Sequence, residues 1–157
     1  MLKIAITVLL VLTISSCGFH LRGNLPLSQF PAIYVQSEAH SELAQLVSER
    51  LSQNSVQLLN SMRAEAPTIQ LVSDTLERRT LSLFPSGQVA EYELIYKVGY
   101  YLIMPGTEPA FNQFELYRDY QDDPNQALAK ARELDLLLSE LRQQAANRII
   151  RQLARLR

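Results

Sequence analysis

The chain has almost no cysteine, little histidine and no tryptophan. Of its 157 residues, one is cysteine and two are histidine. A single cysteine excludes an internal disulfide framework and a cysteine-rich metal site, because both need several thiols. The formal net charge is only -1, so the chain lacks the basic field that attracts nucleic acid or an anionic membrane from a distance. We predict no nucleic-acid partner, and any binding of polyanions must be local.

Catalytic and metal-binding motifs are also missing. His20 and His40 have no metal-ligand partner four residues on, and the sequence H-E-x-x-H does not occur. Ser86 precedes Gly87 but lacks the first glycine of a G-x-S-x-G nucleophile elbow. We therefore predict that the chain is not an enzyme and that it has no cofactor and no metal site.

The N-terminus has the pattern of a secretion signal that ends at the cysteine. Lys3 precedes an uncharged apolar run over residues 4–14, which is too short to span a bilayer and has the length of a signal-peptide core. Two serines then lead to Cys17. This arrangement resembles the lipobox of bacterial lipoproteins, in which the thiol is acylated and the chain is cut before it. We predict a removed signal peptide over residues 1–16 and lipid attachment at Cys17. The alternative is ordinary secretion with a buried free thiol.

Lipid attachment would anchor the mature chain to a membrane without spanning it. Each buried methylene of an acyl chain contributes about 0.8 kcal/mol, so several chains on Cys17 would hold the protein almost permanently. Gly18 follows the cysteine, whereas Gram-negative lipoproteins that stay in the inner membrane typically carry aspartate there. The predicted location is the periplasmic side of the outer membrane, with residues 17–31 as the lipid-anchored N-terminal segment.

Residues 32–157 are expected to form a single domain, because 47% hydrophobic residues in a chain of this length can bury one core. Apolar residues alternate in some segments and recur every three or four residues in others. In chain order the predicted elements are a strand over 32–36, a helix over 41–53, an extended piece over 56–59, strands over 68–83, 92–104 and 111–120, and a helix from 124 to the end. Since helices bury their apolar faces against a sheet, the predicted fold is α+β. It is a two-layer α/β sandwich with two helices packed on a mainly antiparallel sheet of about four strands.

Three details of the long strands and the last helix are also predicted. A change of alternation near Glu77–Arg79 indicates a bulge. The sequence from Pro85 to Gly87 forms a turn, because proline presets φ at the first central position and glycine tolerates a positive φ. An apolar stripe from Leu128 to Leu153 is expected to pack along the whole last helix.

Basic residues are candidates for binding phosphate groups. Arg78, Arg79 and Lys97 are expected on the sheet face that the helices leave open, and Lys130 begins the last helix. The alternative is a solvated face with ion pairs to glutamates of the next strand. Tyr101 is expected on the same open face, where tyrosine and arginine tend to anchor protein interfaces.

Three segments together resemble a known family. They are CGFHLRG at residues 17–23, GQVAEY at 87–92 and DPNQALAK at 123–130. In this order they are similar to the LptE family of lipopolysaccharide-assembly lipoproteins. The resemblance covers essentially the whole chain, and three motifs in order are more specific than any one of them.

The resemblance implies a plug inside the large outer-membrane β-barrel LptD, which with its partner inserts lipopolysaccharide into the outer leaflet. Family members carry basic residues associated with lipopolysaccharide near the hairpin turn and at the start of the last helix. Lys130 retains the second, whereas Pro85 occupies the turn position of the first, so Arg78 or Arg79 is the expected substitute. The expected contacts to the barrel are Pro85, Ser86, Gly87, Gln88 and Tyr101. The alternative is a free-standing, lipid-anchored periplasmic binding module without a barrel partner.

Overall fold

A computed structural model describes residues 27–156. The predicted signal peptide, Cys17 and most of the N-terminal segment lie outside these residues. The described elements are β1 Ala32–Gln36, α1 Glu42–Gln53, β2 Gln57–Leu59, β3 Thr68–Leu83, β4 Val89–Ile103, β5 Ala110–Gln121, a 3-10 turn Pro124–Gln126 and α2 Ala127–Leu153. Within residues 27–156, neither helix combines the length and the apolar character needed to cross a membrane.

The sheet has five strands in the order β2-β1-β3-β4-β5. The prediction of α+β architecture is confirmed, but the prediction of about four mainly antiparallel strands is wrong. β1 runs parallel to both β2 and β3, and only β3, β4 and β5 form an antiparallel series. β2 runs parallel to β1 because α1 connects them as a crossover and returns the chain to the end of the sheet where β1 begins. β2 is three residues long and mostly exposed, so its sequence pattern is weak.

α1 forms because its start is capped and one of its faces is apolar. The Ser41 hydroxyl accepts a hydrogen bond from the Ala44 backbone N–H at 3.1 Å, which satisfies one of the unpaired donors of the first turn. Leu43, Val47 and Leu51 are fully buried. The helix predicted over residues 41–53 is confirmed.

The core lies between the two helices and one face of the sheet. The apolar alternation predicted for β4 is confirmed, because Leu94, Tyr96, Val98, Tyr100 and Leu102 are all buried. The largest fully buried side chains are Tyr96, Tyr100, Leu27, Ile33, Leu43, Leu51, Ile69, Leu94, Leu141, Ile149, Ile150 and Leu153. Burial of these apolar surfaces is the main source of stability for the fold.

α2 is fully buried only along its second half, although Leu138 before it also packs against the core while partly buried. Its buried residues begin at Leu141, whereas Leu128 is 82% exposed and Leu136 is 60% exposed. The prediction of a packed stripe along the whole helix is therefore wrong for its first turns, where Leu128 and Ala131 are exposed. The start of α1 meets α2 at the ion pair between Glu42 and Arg142, with an N···O distance of 2.6 Å, so the earlier part of α2 has no helix beside it.

The fold thus has two parts with different packing. We call residues 74–96 and 115–140 the arm, and the other described residues the base. Only three residues of the arm are buried, namely Leu94, Tyr96 and Tyr120. The base contains the rest of the core, and the arm projects from it as strands with one half-covered face.

Candidate functional site

The register of β3 places Arg78 and Arg79 on opposite faces of the sheet. Arg78 is paired with Leu94, which is buried on the side of the helices, and Arg79 is paired with Glu93 on the open face. The predicted open-face position is therefore wrong for Arg78.

Arg78 faces the helices because the bulge in β3 lies elsewhere than predicted. Pairing is regular through Glu77–Arg79, and the register shifts occur between Leu71 and Ser73 and again after Thr80. One extra residue in a strand exchanges the faces of all residues that follow. The shift after Leu71 therefore turns Arg78 toward the helices.

On this face, the side chains of Tyr92 and Tyr120 join Arg78 to Lys130. The Arg78 guanidinium carbon lies 6.0 Å from the centre of the Tyr92 ring. The Tyr92 and Tyr120 rings are stacked at 6.5 Å with an interplanar angle of 25°, and the Lys130 ammonium lies 5.3 Å from the Tyr120 ring. Cations over tyrosine rings are attracted by the ring quadrupole. We call these four residues the cation–tyrosine stack.

The stack is held together by the join between β5 and α2. The Tyr120 hydroxyl donates a hydrogen bond to the Lys130 carbonyl oxygen at 3.0 Å. Asp123 caps the 3-10 turn before α2 by accepting a bond from the Asn125 backbone N–H at 2.9 Å, and Pro124 occupies its first position. The Asp123 cap and the hydrogen bond from Tyr120 together determine the position of Lys130 relative to the sheet.

The charge of Lys130 is stabilised by a nearby carboxylate. Its ammonium lies 2.8 Å from Glu133 Oε2, one helical turn on, and the side chain is only 19% exposed. The hydrogen bond to Glu133 raises the pKa of Lys130 above its usual value, so the ammonium is charged throughout the physiological range. Burial raises the pKa of Tyr120, which keeps its hydroxyl a proton donor. The arrangement therefore offers two fixed cations, Arg78 and Lys130, to an anionic ligand.

The remaining predicted cations lie on the open face and are already paired. Arg79 contacts Glu93 at 2.5 Å, which confirms the predicted type of cross-strand ion pair. Lys97 contacts Glu77 at 2.8 Å and Glu115 at 3.9 Å. The structure thus brings Arg78 and Lys130 to one face and leaves Arg79 on the other.

The sequence prediction missed Arg118 and the two tyrosines of the cation–tyrosine stack. Arg118 is paired across the strands with Leu94, in the same row as Arg78, and its guanidinium lies 3.4 Å from Glu140. The alternation of β4 and β5 does place Tyr92 and Tyr120 on the helix-facing side. That signal would have identified them only if the two strands had been aligned with each other.

Comparison with known proteins identifies the family. Residues 30–153 match LptE, described as lipopolysaccharide-assembly. The chain belongs to the LptE family. An LPS-assembly lipoprotein LptE from Yersinia pestis (strain Pestoides F) is 32% identical over 148 residues, which are 92% of this chain and 72% of that protein. The resemblance seen in the sequence is thereby confirmed.

Two solved structures of lipoproteins have the same fold as this LptE-family chain. The rare lipoprotein B of Shewanella oneidensis is 45% identical with a TM-score of 0.72, and the match covers 78% of this chain and 93% of that one. The lipoprotein B of Nitrosomonas europaea is 30% identical with a TM-score of 0.69, covering 87% and 90%. These similarities agree with a lipoprotein of lipopolysaccharide assembly in the cell envelope.

In this LptE-family chain the predicted barrel contacts fall in two separate places. Pro85, Ser86, Gly87 and Gln88 form the exposed end of the β3–β4 hairpin, where Gly87 has a φ of 86° that favours glycine. Tyr101 lies on the open face near the other end of the sheet, with its ring 5.1 Å from that of Phe111. A partner that contacts both must extend along most of the molecule.

Proposed function

We propose that the chain is an outer-membrane lipoprotein, acylated at Cys17, that forms a complex with the LptD barrel, plugs it and assists its assembly. In this role it helps to insert lipopolysaccharide into the outer leaflet. Membership of the LptE family supports the general role. The observation that carries the proposed ligand contact is the cation–tyrosine stack, because it joins the two candidate cations on one face.

Lipopolysaccharide is proposed to bind through its phosphate groups at the two ends of the stack. Arg78 has no ion pair among those found in residues 27–156, so its guanidinium is available for a bidentate phosphate contact. Lys130 would exchange Glu133 for a phosphate oxygen. Arg78 precedes Pro85 by seven residues along β3 and would substitute for the basic residue that is missing at the turn. Arg79 is a second candidate, from the open face.

The barrel contact is proposed to involve the hairpin turn and the open face of the sheet. The lumen of a membrane barrel is polar, so a plug needs a surface that is neither purely apolar nor of one charge. On the open face, the paired charges of Arg79 with Glu93 and Lys97 with Glu77 alternate with aromatic side chains such as Tyr101. This mixture suits a polar lumen.

The ligand site is tested by changing the charges around Lys130. We expect Lys130→Glu to weaken binding of purified lipopolysaccharide by tenfold or more, on the order of one charge-assisted hydrogen bond. Glu133→Gln is expected to strengthen binding, because it frees the ammonium that Glu133 now occupies. Unchanged binding in both variants, with the fold shown intact by circular dichroism, would remove Lys130 from the site.

Arg78→Glu and Arg79→Glu distinguish the two faces. Both are single charge reversals on neighbouring residues of one strand, so each is the matched control of the other. A loss of lipopolysaccharide binding with Arg78→Glu alone supports the helix-facing site. A loss with Arg79→Glu alone places the phosphate contact on the open face instead.

The barrel partner and the anchor are tested together by purification. The protein is tagged at its C-terminus, extracted with mild detergent and analysed by mass spectrometry. A one-to-one complex with a large β-barrel supports the plug, and a mature mass that includes acyl chains supports modification of Cys17. Recovery as a lone lipoprotein, with the tag shown not to interfere, would instead support the free-standing binding module.

A further inference from the structure

The charges of the chain are distributed very unevenly along α2. The residues after Glu140 include no aspartate, glutamate or lysine, although the whole chain has a formal charge of only -1. They contain the arginines at positions 142, 148, 151, 155 and 157. A helix C-terminus favours cations, but that effect fades beyond the last turn. The length of this basic run needs a further explanation.

Two of these arginines have no ion pair and no ring contact with any other residue between 27 and 156. Arg142 pairs with Glu42, and Arg148 lies 4.4 Å above the ring of Phe114. Arg151 and Arg155 are exposed, and none of the ion pairs or ring contacts found within residues 27–156 includes them. Their guanidinium groups are therefore available to an external anion.

These arginines lie at the end of the domain where the described chain begins. The Gln29 side-chain amide donates a hydrogen bond to the carbonyl oxygen of Leu156, directly after α2. Leu27 and Leu153 are both buried in the same core. The basic end of α2 and the N-terminal entry of the chain into the domain are thus adjacent.

A loop at the same end adds a third cation and an apolar side chain. Arg63 lies between β2 and β3 and lines a hollow of about 330 Å³ together with Gln29 and Pro105. Its neighbour Met62 is 51% exposed. The acidic residues of the surrounding loops are Glu65 and Glu108, so the three free arginines outnumber them.

We propose that this end of the domain docks on an anionic phospholipid surface, with Arg63, Arg151 and Arg155 contacting headgroup phosphates and Met62 entering the interface. This proposal rests on the anchoring of Cys17 proposed above. Ten residue steps separate Cys17 from Leu27 and can span at most about 35 Å, so an anchored domain stays close to the bilayer. A basic patch beside an acyl anchor is a recognised second membrane signal.

The proposal is tested by amide hydrogen exchange on the mature protein, purified from membranes in mild detergent and bound to vesicles. One set of vesicles contains phosphatidylcholine alone, and the other contains phosphatidylcholine with phosphatidylglycerol. We expect exchange in the loop of residues 60–66 to slow on the anionic vesicles only, by about fivefold for each arginine engaged. High salt should abolish the difference, because it screens charges at the surface.

Single charge reversals provide the matched comparison. Arg151→Glu and Arg155→Glu should each reduce the protection by about fivefold, whereas Arg132→Glu, also exposed on α2 but in the arm, should leave it unchanged. Equal exchange on both kinds of vesicle would overturn the proposal. So would equal protection by soluble inorganic phosphate, which would indicate a simple anion site.

Flotation of the same samples distinguishes this proposal from the proposed anchor. Protein that floats with phosphatidylcholine vesicles is anchored by its acyl chains, whatever the exchange experiment shows. Protein that floats only with anionic vesicles would contradict acylation at Cys17 while supporting the arginine contact. Protein that floats with neither contradicts both.

Discussion

The base and the arm share the strands β3, β4 and β5 and the helix α2, but they are stabilised in different ways. In the base, two helices cover one face of the sheet, and Leu141, Ile149 and Leu153 of α2 are buried there. In the arm, α2 has no helix beside it, and it is attached to the sheet by Tyr120, by the cation–tyrosine stack and by the ion pair of Arg118 with Glu140. Polar and cation–ring contacts thus add to a sparser hydrophobic packing in the part that carries the candidate ligand site.

This difference indicates that the base stabilises the fold and that the arm carries the ligand site. A densely packed base resists local opening, whereas a region with few buried apolar contacts opens at lower free energy. A ligand site supported by a few specific contacts can exchange partners, such as Glu133 for a phosphate, without disturbing the core. The comparison predicts that mutations in the base change global stability and that mutations in the arm act locally.

The largest effect is expected for a truncation in the base. Ile149→Ala removes a side chain that is 1% exposed, so it should lower the free energy of unfolding by about 2–5 kcal/mol. Leu136→Ala in the exposed half of the same helix should cost less than about 0.5 kcal/mol. Equilibrium unfolding in urea measures both. Equal losses would mean that the two halves of α2 are packed alike.

An intermediate effect is expected for Tyr120→Phe. This change keeps the ring but removes the hydroxyl that donates to the Lys130 carbonyl oxygen, which should cost about 0.5–1.5 kcal/mol. Amide exchange should accelerate in the first turns of α2 more than in the base. A uniform acceleration across the domain would contradict the local attachment of the arm.

The smallest effect is expected for acid titration of the cap at Asp123. The Asn125 backbone N–H, followed by the Gln126 side-chain amide, holds the pKa of Asp123 below its ordinary value of 3.8. A carboxylate with a lowered pKa stabilises the fold above its ordinary pKa and loses that contribution as the pH falls through the lowered value. The protection of the amides at the start of α2 against hydrogen exchange, relative to their intrinsic exchange rates at each pH, should therefore fall in acid.

Asp123→Asn is the control for this titration. Asparagine also caps helices but has no carboxylate, so the part of the acid dependence that comes from residue 123 should disappear. If the variant shows the same loss of protection in acid, another group controls the start of α2.

Much of the fold follows from local patterns in the sequence. β4 can be predicted because apolar residues alternate from Tyr92 to Leu102. α1 can be predicted because its apolar face begins directly after a capping residue, Ser41. The pairing of the short β2 with β1 could not be predicted. Three mostly exposed residues have little pattern, and the pairing of strands depends on residues that are distant in the sequence. Of the candidate site, Lys130 and Arg78 were predicted, but Tyr92 and Tyr120 were not.

By itself, the sequence determined the periodicity of the main elements, the family motifs and the candidate cations, since these depend on neighbouring residues. Only the tertiary structure decided which face Arg78 occupies, because a bulge after Leu71 exchanges the faces of β3. It also decided that the beginning of the apolar stripe of α2, at Leu128 and Ala131, stays exposed. A stripe is buried only where another element reaches it, and α1 ends that coverage at the contact of Glu42 with Arg142.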